Sequence, residues 1–208
     1  MNIRDAIAQT GAVLEGEFFF ALKKRGTVAN KYINMDPAFT YPDLVCRLGT
    51  LLIEMFEWRV GALAVPAVGA IPLAYAAPRS TFKSLRIIWA DKQPDGSFAF
   101  ERMGFAEAIR DMKVGIIEDD ATTGGSAKAV GNLVEQAGGE VFGYSFVWNR
   151  GGITEETMGA PVTALVEETV PTWAAGEHKM WGKWPLVEDI GHPDYFPDYP
   201  GPRIKLLK

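Results

Sequence analysis

The sequence predicts an α/β fold: a central parallel sheet flanked by helices. Three observations lead there. Apolar runs of strand length recur at residues 61–65, 85–89, 114–118, 141–148 and 162–166. Helical spacing, or a stretch punctuated by glycine and proline, separates these runs, which is the pattern of strands joined by right-handed crossovers. The chain has 208 residues, 48% hydrophobic and 23% charged, enough for one domain to bury a core without disulfides or metals.

Along the chain, residues 2–14 carry Ile3, Ile7, Val13 and Leu14 near helical spacing and read as a first helix, ended by Gly16. Residues 17–22, EFFFAL, read as a short strand and 31–35 as another, with the basic turn KKRG between them. A second helix is predicted over 43–57, where Leu44, Val45, Leu48, Leu51, Leu52, Met55 and Phe56 recur at three and four and Pro42 suits the first turn. A strand at 61–65, a short helical stretch around 73–77 and a strand at 85–89 follow. Residues 90–104, ADKQPDGSFAFERMG, are polar and carry Pro and Gly. The strand at 114–118 leads to a helix over 124–137, closed by Gly138-Gly139. Strands at 141–148 and 162–166 complete the sheet. Residues 170–208 hold Trp173, Trp181, Trp184 and six prolines, with little periodicity, and read as an irregular extension packed by aromatics.

Composition excludes several classes. Acidic residues number 26 against 21 basic, a formal charge of −5, so no basic excess asks for a nucleic-acid partner. Cys46 is the one cysteine, which rules out an intrachain disulfide and a cysteine zinc site. His178 and His192, both near the C-terminus, do not make a histidine metal site. The first residues, MNIRDAIAQTGAVLEGE, carry charges through their apolar stretch and lack a signal-peptide core. The most apolar stretch, 60–78, is broken by Pro66, Pro72 and Pro78 and holds Gly61 and Gly69, so it makes no spanning helix. The expectation is a soluble, cytoplasmic protein with no membrane partner.

The chemistry concentrates in residues 113–130, KVGIIEDDATTGGSAKAV. An apolar strand runs directly into Glu118, Asp119 and Asp120, and the carboxyl end of a parallel strand is where such sheets bind ligands. Ala121, Thr122, Thr123, Gly124, Gly125 and Ser126 follow, and then a helix. Glycines let a turn present several backbone N–H groups to one anion, hydroxyls add donors, and the helix N-terminus adds partial positive charge. The loop therefore suits a phosphate, and the carboxylates beside it suit the hydroxyls of a sugar. A phosphorylated sugar satisfies both. A merely capped helix start needs only Thr or Ser, and leaves the acid pair and the glycine pair together unexplained.

This segment resembles the 5-phosphoribosyl 1-diphosphate (PRPP) signature of the type I phosphoribosyltransferases: apolar strand, two acids, two variable residues, then Thr-Thr-Gly-Gly-Ser. It lacks the Gly-Lys-Ser/Thr ending of a Walker loop, and its glycine spacing is not that of the dinucleotide fingerprint. It departs from the family at Asp120, a position that is usually apolar there.

Other segments are similar to the orotate phosphoribosyltransferases, in the family's order over residues 1–170. VGALAVPAVGAIPLAYA resembles their pyrophosphate loop, with Val68 and Gly69 at its two variable positions. FFFALKKRGTVANKYINMD resembles their N-terminal hood. Lys23 falls on the lysine that reaches the base and pyrophosphate, with Lys24 and Arg25 making that alignment ambiguous, and Tyr32 and Ile33 fall on the pair that packs on the base. FVWNRGG resembles Val-Asp-Arg-x-x-Gly, which places Arg150 against the orotate carboxylate, a pairing suited to a guanidinium fork. The family's catalytic loop, Arg-Lys-x-x-Lys-x-His-Gly, is the weak match. Here residues 89–96, WADKQPDG, keep the glycine and lack the histidine, and Lys92 is the one cation they offer before Arg102.

The resemblance implies one domain with a hood over 1–40, a core over 41–169 and a C-terminal extension over 170–208. It implies transfer of ribose 5-phosphate from PRPP to a nucleobase, with orotate foremost. Glu118 and Asp119 would hold the ribose hydroxyls, with Asp119 catalytic. Thr122 to Ser126 would hold the 5-phosphate, with Thr122 also near the base, and Asp120 and Ala121 would also bind PRPP. Lys92 would act on the pyrophosphate as its loop closes. Magnesium (Mg) would be held mainly by substrate oxygens, with no dedicated protein metal site, and the assembly would be a homodimer. Two alternatives stay open: a transferase for a purine or other base, and a non-catalytic sensor of a phosphoribosyl ligand on the same fold.

Overall fold

The computed structural model describes residues 2–22, 26–57, 59–76 and 85–206. In chain order the elements are α1 (Ile3–Ala8), β1 (Val13–Ala21), β2 (Thr27–Ile33), α2 (Asp36–Phe39), α3 (Pro42–Glu54), β3 (Ala62–Pro66), α4 (Ile71–Ala76), β4 (Arg86–Lys92), β5 (Phe98–Ala99) and α5 (Phe105–Ala108). Then come β6 (Lys113–Ala121), α6 (Gly125–Gln136), β7 (Glu140–Asn149), α7 (Glu155–Met158), β8 (Val162–Glu167), β9 (Trp173–Ala174), β10 (Leu186–Val187), a 3-10 turn (Pro193–Tyr195) and β11 (Arg203–Ile204).

Two compact units result. The first comprises Met1–Gln9 and Met35–Thr169, the second Thr10–Asn34 and Val170–Lys208. Of the hood expected over 1–40, α1 and α2 therefore lie in the unit that holds the core, while β1 and β2 lie with the C-terminal extension.

The first unit is built on a six-stranded sheet, order β5-β4-β3-β6-β7-β8. Its strands pair in parallel except β5, which runs antiparallel to β4 at the edge. The central strands are apolar on both faces because helices cover both: all of β3 is buried, and β6 is buried from Val114 to Glu118. On one face α6 lays down Ala127, Val130, Gly131 and Val134, a helical stripe packed with Ile116, Tyr144 and Phe146. Gly131 permits that approach, since a Cβ there would run into the Tyr144 hydroxyl. On the other face a Cβ at Gly115 would meet the Phe56 ring at 2.6 Å, so the chain just after α3 packs directly on the strand backbone.

The second unit holds a five-stranded sheet, order β11-β10-β1-β2-β9. Its core gathers Phe19, Ala21, Val28, Leu186, Phe196 and Tyr199, with Trp173, Trp181 and Trp184 packed against them.

Three expectations are corrected. The first helix spans Ile3–Ala8, not 2–14: the chain turns at Gly11, with φ of +86°, and Val13 and Leu14 already belong to β1. The extension read as irregular supplies three two-residue strands to a sheet. The polar stretch over 90–104, given no regular structure from the sequence, holds a hairpin, with Lys92 paired to Phe98 and Asp91 to Ala99.

Candidate active site at the carboxyl edge of the parallel sheet

Because β3, β4, β6 and β7 are parallel, their carboxyl ends share one edge of the sheet: Pro66, Lys92, Ala121 and Asn149. Ligands of open α/β sheets bind along that edge. Side chains alternate across a strand, so the three acids at the end of β6 divide between two faces.

Asp119 faces the turn after β3. A Cβ built on Gly69 would lie 2.7 Å from its Oδ2, so the carboxylate rests on the backbone of that turn. The turn itself is pinned by the Ala67 N–H, which donates to the Ala90 carbonyl at 2.9 Å. The Ala67–Val68 peptide is cis, and the Val68 side chain stands out at 77% exposure. Burial raises the Asp119 pKa, opposed by the backbone N–H groups of Asp119 and Asp120; Asp36, at the start of α2, adds a further upward push.

Glu118 points the other way, toward the start of α6, and is 8% exposed. The Ser126 hydroxyl and the Ala127 N–H donate to it. Burial, reinforced by the charges of Asp119 and Asp120, outweighs those bonds and pushes its pKa up to about 8.

Between β6 and α6 the backbone turns through Gly124, whose φ is +69°. Its Cα packs so closely on the 153–158 segment that a Cβ would meet Met158 Sδ at 2.8 Å. Glycine is required here on both counts. Thr122, Thr123 and Gly125 remain exposed, Ser126 half-buried and Ala121 buried. The loop thus offers the Thr122 and Thr123 hydroxyls to solvent just ahead of a 12-residue helix, the arrangement that suits a phosphate.

The end of β7 is locked to this loop. The Arg150 N–H donates to the Ala121 carbonyl at 3.0 Å, and a Cβ at Gly151 would fall on the Thr122 carbonyl. Asn149 closes the following turn with both ends of its amide: Nδ2 donates to the Ile153 carbonyl at 2.9 Å and Oδ1 accepts from the Ile153 N–H at 3.0 Å. Lys128 Nζ donates to the Thr157 carbonyl at 2.7 Å. These ties set Arg150 beside Asp120, with Nη2 2.7 Å from Oδ2 and both side chains 15% exposed. Burial lifts the Asp120 pKa to about 6, the Arg150 charge pulling the other way. Asp120 Oδ1 and Arg150 Nε are buried without a hydrogen-bond partner.

The structure thus brings together Val68, Gly69, residues 118–126 and Arg150. Asp120, expected to bind PRPP, is paired with Arg150. Lys92 lies at the same edge of the sheet, exposed at the end of β4. The flexible loop expected over 89–96 is strand and tight turn: the Gln93 N–H donates to the Ser97 carbonyl at 2.8 Å, and Gly96 has φ of +87°. Arg102 joins this hairpin, 3.3 Å from Asp91 and over the Trp89 ring at 5.8 Å. Tyr32 and Ile33 belong to β2 of the second unit, where Tyr32 packs on Phe20 at a ring distance of 5.3 Å and Ile33 is buried. Lys23 lies outside the described residues. Sequence reading missed Asp36 and the Asn149 clamp. An Asn directly before Arg-Gly-Gly is a turn signal that points to the second.

An acid pair split across a parallel strand, a glycine loop opening a helix beside it, and a second backbone turn resting on one of the acids define the site of a type I phosphoribosyltransferase. No family model matches the chain. It is 31% identical over 157 residues to the orotate phosphoribosyltransferase of Caldanaerobacter subterraneus subsp. tengcongensis, covering 75% of this chain and 80% of that one. The chain belongs to the orotate phosphoribosyltransferase family. Its fold matches the crystal structure of orotate phosphoribosyltransferase from Aeropyrum pernix, with a TM-score of 0.64, 20% identity, and coverage of 79% of this chain and 93% of that one. The Mycobacterium tuberculosis H37Rv enzyme in complex with PRPP matches with a TM-score of 0.55 and 22% identity, covering 65% of this chain and 80% of that one.

Proposed function

We propose that this chain transfers the 5-phosphoribosyl group of PRPP to orotate, forming orotidine 5'-phosphate and pyrophosphate in pyrimidine nucleotide synthesis. The observation that carries the reading is the division of the acid pair. Glu118 is tied to the loop that suits the 5-phosphate, and Asp119 rests on the turn at Gly69. A ribose held between them has its phosphate at one end and its diphosphate at the other.

In the reaction the bond from the sugar's anomeric carbon to the diphosphate oxygen breaks, and the electron pair leaves with pyrophosphate. The base nitrogen bonds to the same carbon and gives up its proton to solvent. The transition state resembles an oxocarbenium ion, so catalysis is positioning and charge stabilisation. Glu118 and Asp119 hold the ribose hydroxyls, and Asp119, beside the diphosphate turn, serves to stabilise the developing positive charge. Thr122, Thr123, Gly124, Gly125 and Ser126 hold the 5-phosphate, the backbone at Val68 and Gly69 holds the diphosphate, and Lys92 adds a cation at that edge. Arg150 receives the orotate carboxylate. By the family resemblance alone, Tyr32, Ile33, Thr122 and Lys23 also serve the base.

Magnesium fits this donor set. Asp119 offers a hard oxygen beside the diphosphate turn. That suits an ion held mainly by substrate oxygens and water. When bound, it neutralises the diphosphate as a leaving group. A homodimer and a cytoplasmic location carry over from the family. Among the described residues no helix is long and apolar enough to cross a membrane.

The test is pyrophosphate release from PRPP and magnesium with a panel of bases. Release that depends on orotate is expected. Release with a purine only assigns another base. Binding of PRPP without release for any base assigns a sensor.

A further inference from the structure

The base side of the site contains a carboxylate of its own. Asp120 Oδ2 sits 2.7 Å from Arg150 Nη2, and the pair is largely removed from solvent. Arg150 is the cation that the proposed function gives to the orotate carboxylate, and the following inference rests on that reading. A substrate carboxylate arriving there finds one arm of the guanidinium already engaged. It also finds a like charge on the far side of that guanidinium, the Asp120 carboxylate itself. Like charges set together across an interface cost binding energy. An uncharged pyrimidine meets no such opposition.

We infer that Asp120 is a specificity-determining residue, an internal carboxylate that competes with the carboxylate of the base for Arg150 and narrows the preference for orotate over an uncharged pyrimidine. It acts through Arg150, as a positioning residue, and touches no reacting atom. Its effect is therefore on selection of the base.

The experiment measures kcat/KM for orotate and for uracil, which is orotate without the carboxylate, in the wild type, Asp120→Asn and Asp120→Val. Asn keeps an acceptor for Arg150 and drops the charge, while Val removes both, so a folding defect in one leaves the other to report. Expected is a rise of about tenfold or more in the orotate value through a lower KM, with the uracil value not rising in step, as follows from removing one like charge from a close contact. The gain must vanish in Asp120→Asn combined with Arg150→Leu, a dependence that general loosening of the fold does not produce. An orotate value that stays level or falls in both single variants, with orotate turned over by the wild type, overturns this inference alone. If wild type and variants bind PRPP and turn over neither base, the proposed function fails and takes this inference with it.

Discussion

Gly69 and Asp119 are in backbone-to-carboxylate contact: a single methyl at position 69 would sit 2.7 Å from the Asp119 oxygen. No side chain beyond hydrogen fits without moving the acid. That contact joins two segments separated by 50 positions in the chain, and it is what makes one site of the turn after β3 and the end of β6.

Gly69→Ala is therefore expected to cost activity out of proportion to stability. Overpacking of this kind costs about 1–3 kcal/mol of folding free energy. The displaced Asp119 carboxylate also loses its place against the sugar, so kcat/KM for PRPP should fall at least about tenfold, the equivalent of one such interaction. Steady-state kinetics and urea unfolding of the same preparation check both parts. Unchanged kinetics would separate the turn from the site.

Stability of the ligand-free protein should fall as pH rises. Glu118 is pushed from the ordinary 4.5 to about 8, and Asp120 from 3.8 to about 6, chiefly by burial. Between those limits the folded chain retains protons that the unfolded chain has released, so raising the pH favours unfolding. The stability is fully present below the ordinary carboxylate range and is lost as pH passes through about 6 for Asp120 and about 8 for Glu118. One retained proton corresponds to a slope of up to ~1.4 kcal/mol per pH unit. Urea midpoints between about pH 5 and pH 8 measure it, and Glu118→Gln should flatten the upper part. A wild-type midpoint that rises across that range contradicts the upward push that burial gives Glu118.

Much of this site was legible in the sequence because its elements are long and continuous. The apolar run of β6, the glycine loop and α6 are contiguous, so strand, loop and helix start could be read from one segment. The pairing of Asp120 with Arg150 could not. It depends on β6 and β7 being neighbours in register, Asp120 opposite Trp148, and on Gly151 folding back over Thr122. The strands β9, β10 and β11 have two residues each, too short to show an alternation. The hairpin at β4 and β5 was signalled, since Pro94-Asp95-Gly96 between apolar residues is turn chemistry. The similarity of 89–96 to a catalytic loop hid that signal.

Lys92 is placed on a paired strand, so its contribution should be electrostatic. Lys92→Ala is expected to lower kcat by about tenfold or more while changing the KM for PRPP by less, as for a charge whose interaction grows with the leaving group. Rescue by Lys92→Arg would support a charge requirement at this position. Unaffected turnover assigns Lys92 to the solvated edge of the hairpin and the pyrophosphate to another cation.

The most direct measurement is orotate consumption, followed by absorbance alongside pyrophosphate release, in the wild type and in Glu118→Gln combined with Asp119→Asn. The account predicts one pyrophosphate per orotate consumed in the wild type. It predicts a fall of about tenfold or more in kcat/KM for PRPP in the variant, as two hydrogen-bonded contacts of about 1 kcal/mol each are lost together, with the unfolding transition still cooperative. A variant as active as the wild type, or a wild type that releases pyrophosphate without consuming orotate, would contradict it.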